Sequence, residues 1–283
     1  MKESRSAPQD HRVAVGGIRA DLGYVLRSPE CLYDFNYEPP PGMPRSTVVL
    51  DPHRVSIHDA RWDDELNLHE SGFEHVRHRS ALTRWDEFSA GSAVANVYYE
   101  EVRQFLVEHL RADDAVVFDH TLRDSAVQTG SASLREPVGR VHNDQTFQSA
   151  PKRLTNFLSP GESARRLARR FAIVNLWRPI EGPVARAPLA MCDWRSVQLG
   201  DLIPTELRYP DWTGETFSVA FNPLHRWFWY PDQPSDIVTL LKVFDSDTSG
   251  IARMAPHTAF DLEGAHPGAP ARRSIEVRAF VFW

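Results

Sequence analysis

His142 and Asp144, in the stretch Arg140-Val141-His142-Asn143-Asp144-Gln145-Thr146, have the types and spacing that suit metal chemistry. In an extended strand alternate side chains share a face, so imidazole and carboxylate would stand roughly 7 Å apart along the backbone and could close on one ion. A third ligand from another strand would complete a set of two histidines and one carboxylate. That set leaves coordination positions open, as non-heme Fe(II) oxygenases require. His257, in Ala255-Pro256-His257-Thr258, is the candidate for the third place. Asn143 and Thr146 flank the pair and could hydrogen-bond its members. His-x-Asp alone is common by chance, and any one of these histidines could be a satisfied structural side chain. Two histidines and an aspartate would also bind Zn²⁺. A zinc-dependent hydrolase and a non-catalytic cupin-like binding protein therefore stand beside the iron reading.

Such ligands need a framework of strands. Short β-branched and apolar runs at 172–177, 188–192, 217–221, 227–230, 237–244 and 275–283 are separated by Pro, Gly and Asp turns. Strands in that number with no long helix between them predict an antiparallel sandwich or jelly roll rather than βαβ units. The run at 115–120 predicts a buried strand, followed by a polar loop over 121–133 that leads to the metal strand. Upstream, Thr83 and Asp86 are spaced as a helix start. Val94, Val97, Tyr98, Val102, Phe105, Leu106 and Leu110 then recur at helical intervals. Ser159-Pro160-Gly161-Glu162 combines an N-cap, a first-turn proline and a capping-box glutamate, which predicts a second helix. Runs at 48–50, 55–57 and 72–76 read as short strands of a small N-terminal sheet. The expected organisation is a polar, flexible stretch over 1–17 and one domain over 18–283. Within that domain an α/β lobe (18–113) precedes a jelly-roll core (114–283).

Composition narrows the function classes. Hydrophobic content of 42%, charged content of 25% and eight tryptophans fit a globular chain with a large core. A net charge of −6, with arginines scattered among acids, provides no basic field for nucleic acid or anionic lipid. No stretch approaches the roughly 18 continuous apolar residues of a membrane span. Two cysteines make no disulfide framework, and residues 1–17 lack a signal peptide's apolar core, so a cytoplasmic location is expected. Cys192 has no neighbouring base in sequence and reads as a small buried hydrophobe.

Taken in order, several segments are more specific than His-x-Asp. They are Val117-Phe118-Asp119-His120-Thr121-Leu122-Arg123, Val141-His142-Asn143-Asp144, Val174-Asn175-Leu176-Trp177-Arg178-Pro179, Pro188-Leu189-Ala190-Met191-Cys192-Asp193, Trp229-Tyr230-Pro231-Asp232, Ala255-Pro256-His257-Thr258 and Ser274-Ile275-Glu276-Val277-Arg278-Ala279. From about residue 20 to the C-terminus the chain resembles the AsaB-like and CmcJ-like hydroxylases and desaturases, a family that includes gibberellin desaturases. The resemblance implies a mainly β fold with flanking helices, a double-stranded β-helix of the cupin-like jelly-roll type. It also implies Fe(II) as metal, 2-oxoglutarate and O₂ as cosubstrates, and a small-molecule substrate that is hydroxylated, desaturated or cyclised, in specialised metabolism.

By position, the resemblance makes His142, Asp144 and His257 the iron ligands. The intact carboxylate at Asp144 argues against halogenation. The distal carboxylate of the keto acid needs a cation, and a guanidinium can grip it bidentately. Arg272, Ser274, Glu276 and Arg278 share one face of the last strand by parity. Arg278 matches the last-strand arginine of these oxygenases, whereas Arg272 with Ser274 spells an alternative Arg-x-Ser pair. An ion pair with Glu276 is the structural explanation for either arginine. Asn175 is a candidate cosubstrate contact, and Trp177, Arg178, Tyr230 and Thr146 are candidates for the substrate pocket at the barrel mouth.

Overall fold

The computed structural model describes residues 17–89, 93–126, 136–264, 266 and 268–283. The expected flexible N-terminus falls, up to residue 16, outside the described residues, as does most of the expected polar loop after residue 126.

Among the described residues fourteen strands form two sheets: β1 (Ile18–Val25), β2 (Leu32–Phe35), β3 (Leu50–Asp59), β4 (Phe73–Arg77), β5 (Asp114–Asp124), β6 (His142–Asn143), β7 (Phe171–Glu181), β8 (Leu189–Cys192), β9 (Leu202–Arg208), β10 (Thr213–Val219), β11 (Trp227–Trp229), β12 (Ile237–Asp245), β13 (His257–Ala259) and β14 (Arg273–Phe282). One sheet has nine strands in the order β1-β3-β11-β8-β13-β6-β10-β9-β2, and the other five in the order β4-β12-β7-β14-β5. Pairing is antiparallel except at β3–β11 and β2–β9. The small N-terminal sheet expected from the sequence is not separate. β1 and β3 extend the larger sheet, and β4 pairs with β12 at the edge of the smaller one.

The five-stranded sheet is covered on both faces, so β7 reads as a largely apolar run, whereas β14 alternates apolar with polar residues up to Arg278 and is apolar after it. Ile275, Val277, Ala279 and Val281 of β14 pack outward with Ala172, Val174 and Leu176 of β7 against the helical segment. That segment comprises α1 (Trp85–Ser89), a π-helical turn (Val94–Tyr98) and α2 (Tyr99–Leu110), with Tyr98, Val102 and Leu106 buried on the sheet. The intervening residues of β14, which include Ser274, Glu276 and Arg278, face the space between the sheets. Phe280 and Phe282 continue that inner face and meet Ala150 and Leu154 of α3 (Ser149–Phe157). α4 (Pro160–Leu167) starts as its capping sequence predicts, with the Ser159 hydroxyl accepting from the Glu162 N–H.

Gly23 lets the strand that carries His142 dock on β1. Gly23 and Arg140 form a parallel bridge, and a Cβ on Gly23 would lie 2.6 Å from the Gly139 carbonyl oxygen. Any other residue would push the His142 segment away from the sheet.

Candidate metal centre and its cavity

β6 is short, but its neighbours on both sides fix it. Ser218 of β10 and His257 of β13 lie opposite His142. The two imidazole rings therefore face each other with centroids 4.6 Å apart. Nε2 of His142 is 3.5 Å from Oδ1 of Asp144, and one donor atom from each of His142, Asp144 and His257 lies within 4.8 Å of the others. The Nδ1 atoms of both rings meet backbone carbonyls two residues back, Arg140 O at 2.8 Å and Ala255 O at 3.0 Å. A carbonyl can only accept, so each Nδ1 carries the proton and each Nε2 keeps its lone pair for a metal. The donor set, its tautomers and its spacing fit a divalent transition metal.

The residues around Asp144 keep it ionised. β5, β14 and β7 align Asp119, Arg278 and Asn175 in one row across the smaller sheet. From that row Asn175 Nδ2 donates to Asp144 Oδ2 at 2.7 Å and Arg278 Nε at 3.4 Å. Burial alone would raise the Asp144 pKa. The hydrogen bond with His142 and the charges of Arg278 and His257 outweigh it and hold the carboxyl well below its usual range. His257 shifts down, first through burial and then through repulsion by His142, which favours the neutral, ligating form. Asn143 and Thr146 do not contact the ligands. Asn143 bonds the carbonyls of Gln145 and Val243, and the Thr146 hydroxyl bonds Glu215 while accepting from the backbone at the start of α3.

Arg278 lies on β14, whereas Arg272, expected on the same strand, precedes it by one residue, and the two stand in opposite electrostatic situations. Arg278 bonds Glu276, Thr121 at 2.9 Å, and Asp119 and Asp144 at 3.4 Å each. Burial opposes its charge, but those acids raise its pKa above the ordinary arginine value. Arg272 is 3% exposed and forms no ion pair among the described residues. One Nη donates to the Ala187 carbonyl, and the guanidinium lies 5.6 Å from the Trp177 ring centroid. Its Nε and the Oγ of Ser274, 1% exposed, are buried without a hydrogen-bond partner among the described residues. Burial, with repulsion from Arg123, pushes Arg272 down to about 9. A buried cation with no carboxylate bonded to it among the described residues is a group that an anion would stabilise.

A cavity of about 1130 Å³ opens from the centre, with His142, Asp144 and Arg278 at its inner end. Its walls are β5, the face of α3 that carries Ser149, Lys152 and Asn156, and the β9–β10 hairpin. On that hairpin the Tyr209 and Trp212 rings stack 4.2 Å apart.

The four residues expected at the mouth lie elsewhere. Arg178, one position out of phase with Asn175, points to the outer face and ties Tyr98, His78 and the Ser235 carbonyl together. Trp177 is buried in the barrel interior, in the apolar cluster of Phe73, Met191 and Phe228. Tyr230 sits beside His75, 5.0 Å between centroids, and faces Arg61. Thr146 anchors Glu215. Neither α3 nor the hairpin was anticipated as a wall. The turn residues Pro210-Asp211 between two short apolar runs, flanked by aromatics, were the available signal for the hairpin.

The family described as Oxidoreductase/YMDC permease-like domain matches residues 22–282. The chain is 32% identical to "Hydroxylase/desaturase efuI" of Hormonema carpetanum, covering 81% of this chain and 83% of that protein. It is also 32% identical to "Fe(II)/2-oxoglutarate-dependent dioxygenase nvfI" of Aspergillus novofumigatus, covering 88% of this chain and 90% of that one. Among solved structures, the "iron and alpha-ketoglutarate-dependent endoperoxidase NvfI" superposes with a TM-score of 0.85 at 29% identity, over 94% of this chain and 98% of the other. That likeness extends over both sheets, so the fold is the double-stranded β-helix of these oxygenases. The chain belongs to the hydroxylase/desaturase family of Fe(II)/2-oxoglutarate-dependent dioxygenases.

Proposed function

We propose that His142, Asp144 and His257 hold Fe(II), and that Arg272 with Ser274 takes the distal carboxylate of 2-oxoglutarate. The enzyme is an oxidoreductase that uses Fe(II), 2-oxoglutarate and O₂, as family membership establishes; hydrolysis at zinc and a non-catalytic binding role find no support among the relatives. When bound, the iron with its cosubstrates supplies the oxidising power to remove hydrogen from an unactivated C–H bond, the keto acid leaving as succinate and CO₂.

The observation that carries the site assignment is the pairing of one compact donor set with one buried, uncompensated cation in the same barrel. Arg278 is the sequence-favoured anchor, but its charge is already met by Glu276 and Asp144, and it serves better as the group that orients Asp144. With Arg272 as anchor, the formal charges of the ion, Asp144, a dianionic keto acid and Arg272 cancel, which a low-dielectric interior favours. Asn175 joins Arg278 in holding Asp144 and is not a cosubstrate contact in this reading. The cavity exceeds what 2-oxoglutarate alone needs and suits a small-molecule substrate. Nucleic acid and membrane surfaces are not the expected partners, and no described helix is long and apolar enough to cross a membrane.

Anaerobic addition of Fe(II) and then 2-oxoglutarate should produce the weak visible charge-transfer band of a chelated keto acid. Succinate release should require Fe(II) and O₂. Turnover supported by Zn²⁺ without O₂ would sink this reading.

A further inference from the structure

Two aromatic rings of the β9–β10 hairpin line the cavity that opens from the metal centre. The Tyr209 N–H donates to the Trp212 carbonyl at 2.9 Å and closes the turn between them, and the two rings stack with an angle of 6° between their planes. Across the ladder Gly214 pairs with Leu207, another residue of the same wall. A Cβ on Gly214 would lie 2.8 Å from Cζ3 of Trp212, so the glycine makes room for the indole against the hairpin. Trp212 is nevertheless 51% exposed. Single exposed apolar side chains are common on folded proteins. This one differs in being held in place by a ring stack and in lining a cavity that reaches His142 and Asp144.

We infer that the Tyr209–Trp212 pair is a substrate-holding surface of this cavity, and that it takes an uncharged, flat apolar ring. The inference rests on the oxygenase reading of the site. Its occupant follows from position: what covers these rings is the molecule presented to the metal centre. Its lack of charge follows from the other walls, where Arg140 pairs with Asp34, Arg153 with Asp119, and Glu206 with Arg208. Those acids and bases already answer one another, whereas Trp212 remains half open to solvent. A ring stacked there buries apolar area on both partners, and rings fixed beforehand lose little conformational freedom on binding. Cover over this wall also keeps water from the metal centre.

The probes are 2-naphthamide and its charged counterpart 2-naphthoate. Each is titrated by calorimetry into native protein, Trp212→Ala and Gly214→Ala, all loaded with Ni(II) and 2-oxoglutarate. Native protein should bind the amide, and should bind the acid no more tightly. Trp212→Ala removes the exposed ring and should weaken amide binding about three- to tenfold. Gly214→Ala keeps every ring but intrudes on the indole, and should weaken amide binding in the same direction. The affinity for 2-oxoglutarate itself should be unchanged in both variants, because both changes lie on the hairpin. Absence of amide binding to native protein overturns the inference, as does an amide affinity that the two variants leave unaltered. A preference of about tenfold for the acid, which exposed Lys152 on the α3 wall would supply, also overturns it. So does a lower molar mass of Trp212→Ala in light scattering, which would assign the rings to an interface between chains. If Trp212→Ala fails to fold, Gly214→Ala decides alone. Failure of native protein to bind 2-oxoglutarate would instead sink the oxygenase reading, and amide titrations without cosubstrate still report on the hairpin.

Discussion

Replacing Arg272 by methionine should separate keto-acid binding from the stability of the protein. Among the described residues this guanidinium has one hydrogen bond, to the Ala187 carbonyl, and one aromatic neighbour, Trp177. Losing both costs about 2 kcal/mol. Removing a buried charge whose Nε has no partner returns about 1 to 3 kcal/mol, so the stability of the free variant should stay within about 1 kcal/mol of native. Binding behaves differently. At a hundred times its Kd, 2-oxoglutarate stabilises the native protein by about 2.7 kcal/mol. Losing a charge-assisted fork worth roughly 1.5 to 3 kcal/mol weakens Kd by about 10- to 150-fold and leaves only about 0.3 to 1.4 kcal/mol of ligand stabilisation. At roughly 2 °C per kcal/mol for a chain of this size, the ligand-induced rise in Tm falls from about 5 °C to between roughly 0.5 and 3 °C. Arg278→Met should show the opposite pattern. It strips Glu276 and Asp144 of their cation, and breaking a buried pair costs roughly 3 to 5 kcal/mol, so Tm should drop before any ligand is added. Thermal unfolding of both variants loaded with Ni(II), with and without 2-oxoglutarate, decides. A full ligand shift in Arg272→Met, with a lost shift and unchanged free stability in Arg278→Met, would refute the assignment.

His142→Ala, Asp144→Ala and His257→Ala should each lower bound iron well below one per chain and abolish 2-oxoglutarate turnover with the far-ultraviolet circular dichroism unchanged; native turnover in His257→Ala removes that residue from the ligand set. Asn175→Ala deletes the 2.7 Å bond to Asp144 and should weaken metal affinity about tenfold to a hundredfold by competitive chelation, whereas unaltered affinity would show that Asp144 needs no such support. Burial pushes His75 down to about 3, and burial with Arg178 nearby pushes His78 down to about 4, from an ordinary 6.5. Below pH 6.5 the unfolded chain therefore binds more protons than the folded one, and stability present above 6.5 should decline toward pH 4 by a few kcal/mol in urea titrations. A flat profile between pH 7 and 5 contradicts that. Cys31 is exposed and Cys192 is buried with its thiol pKa pushed up by desolvation, so one thiol per native chain should react with a maleimide and two after unfolding.

The parts of the fold legible in the sequence are those where one physical rule dominates. β7 and β14 are covered on both faces, and their β-branched and apolar residues, in a run in the first half of β7 and in alternation along the first half of β14, mark them as strands. α4 carries its start signal in three consecutive residues. β9 and α3 were not legible because each contains a proline against its type: Pro204 pairs opposite Phe217, and Pro151 falls in the first turn of α3, where its missing N–H costs nothing. The helix expected to run from residue 83 to 110 is interrupted by a π-helical turn over Val94–Tyr98, which shifts the phase of the buried positions without erasing their periodicity. Of the runs at 48–50 and 55–57, Leu50 and residues 55–57 fall in one strand, because Pro52 pairs with Gly23 on β1 and leaves the ladder to β11 to later residues.

At the site, parity placed His142 and Asp144 on one face, and it also contained the error over Arg178. Asn175 and Trp177 are in phase with each other and Arg178 is not, so a strand carrying Asn175 inward must send Arg178 outward to Tyr98. Parity could not rank Arg272 against Arg278: Arg278 lies on the inner face of β14, and Arg272, one residue before that strand begins, has the same parity. What separates them is the identity of their neighbours on other strands. Asp119 reaches Arg278 from β5 and Asp144 reaches it from beyond β6, whereas among the described residues the Arg272 guanidinium bonds a carbonyl and lies by an indole, with no ion pair. Those neighbours are brought together by pairing across β5, β14 and β7, a register set by contacts far apart in the chain. Whether a buried arginine is a structural tie or a ligand receptor is therefore settled by whether the fold has already given it an anion. By that criterion Arg278 belongs to the protein's own charge network, and Arg272 is the proposed anchor of the cosubstrate.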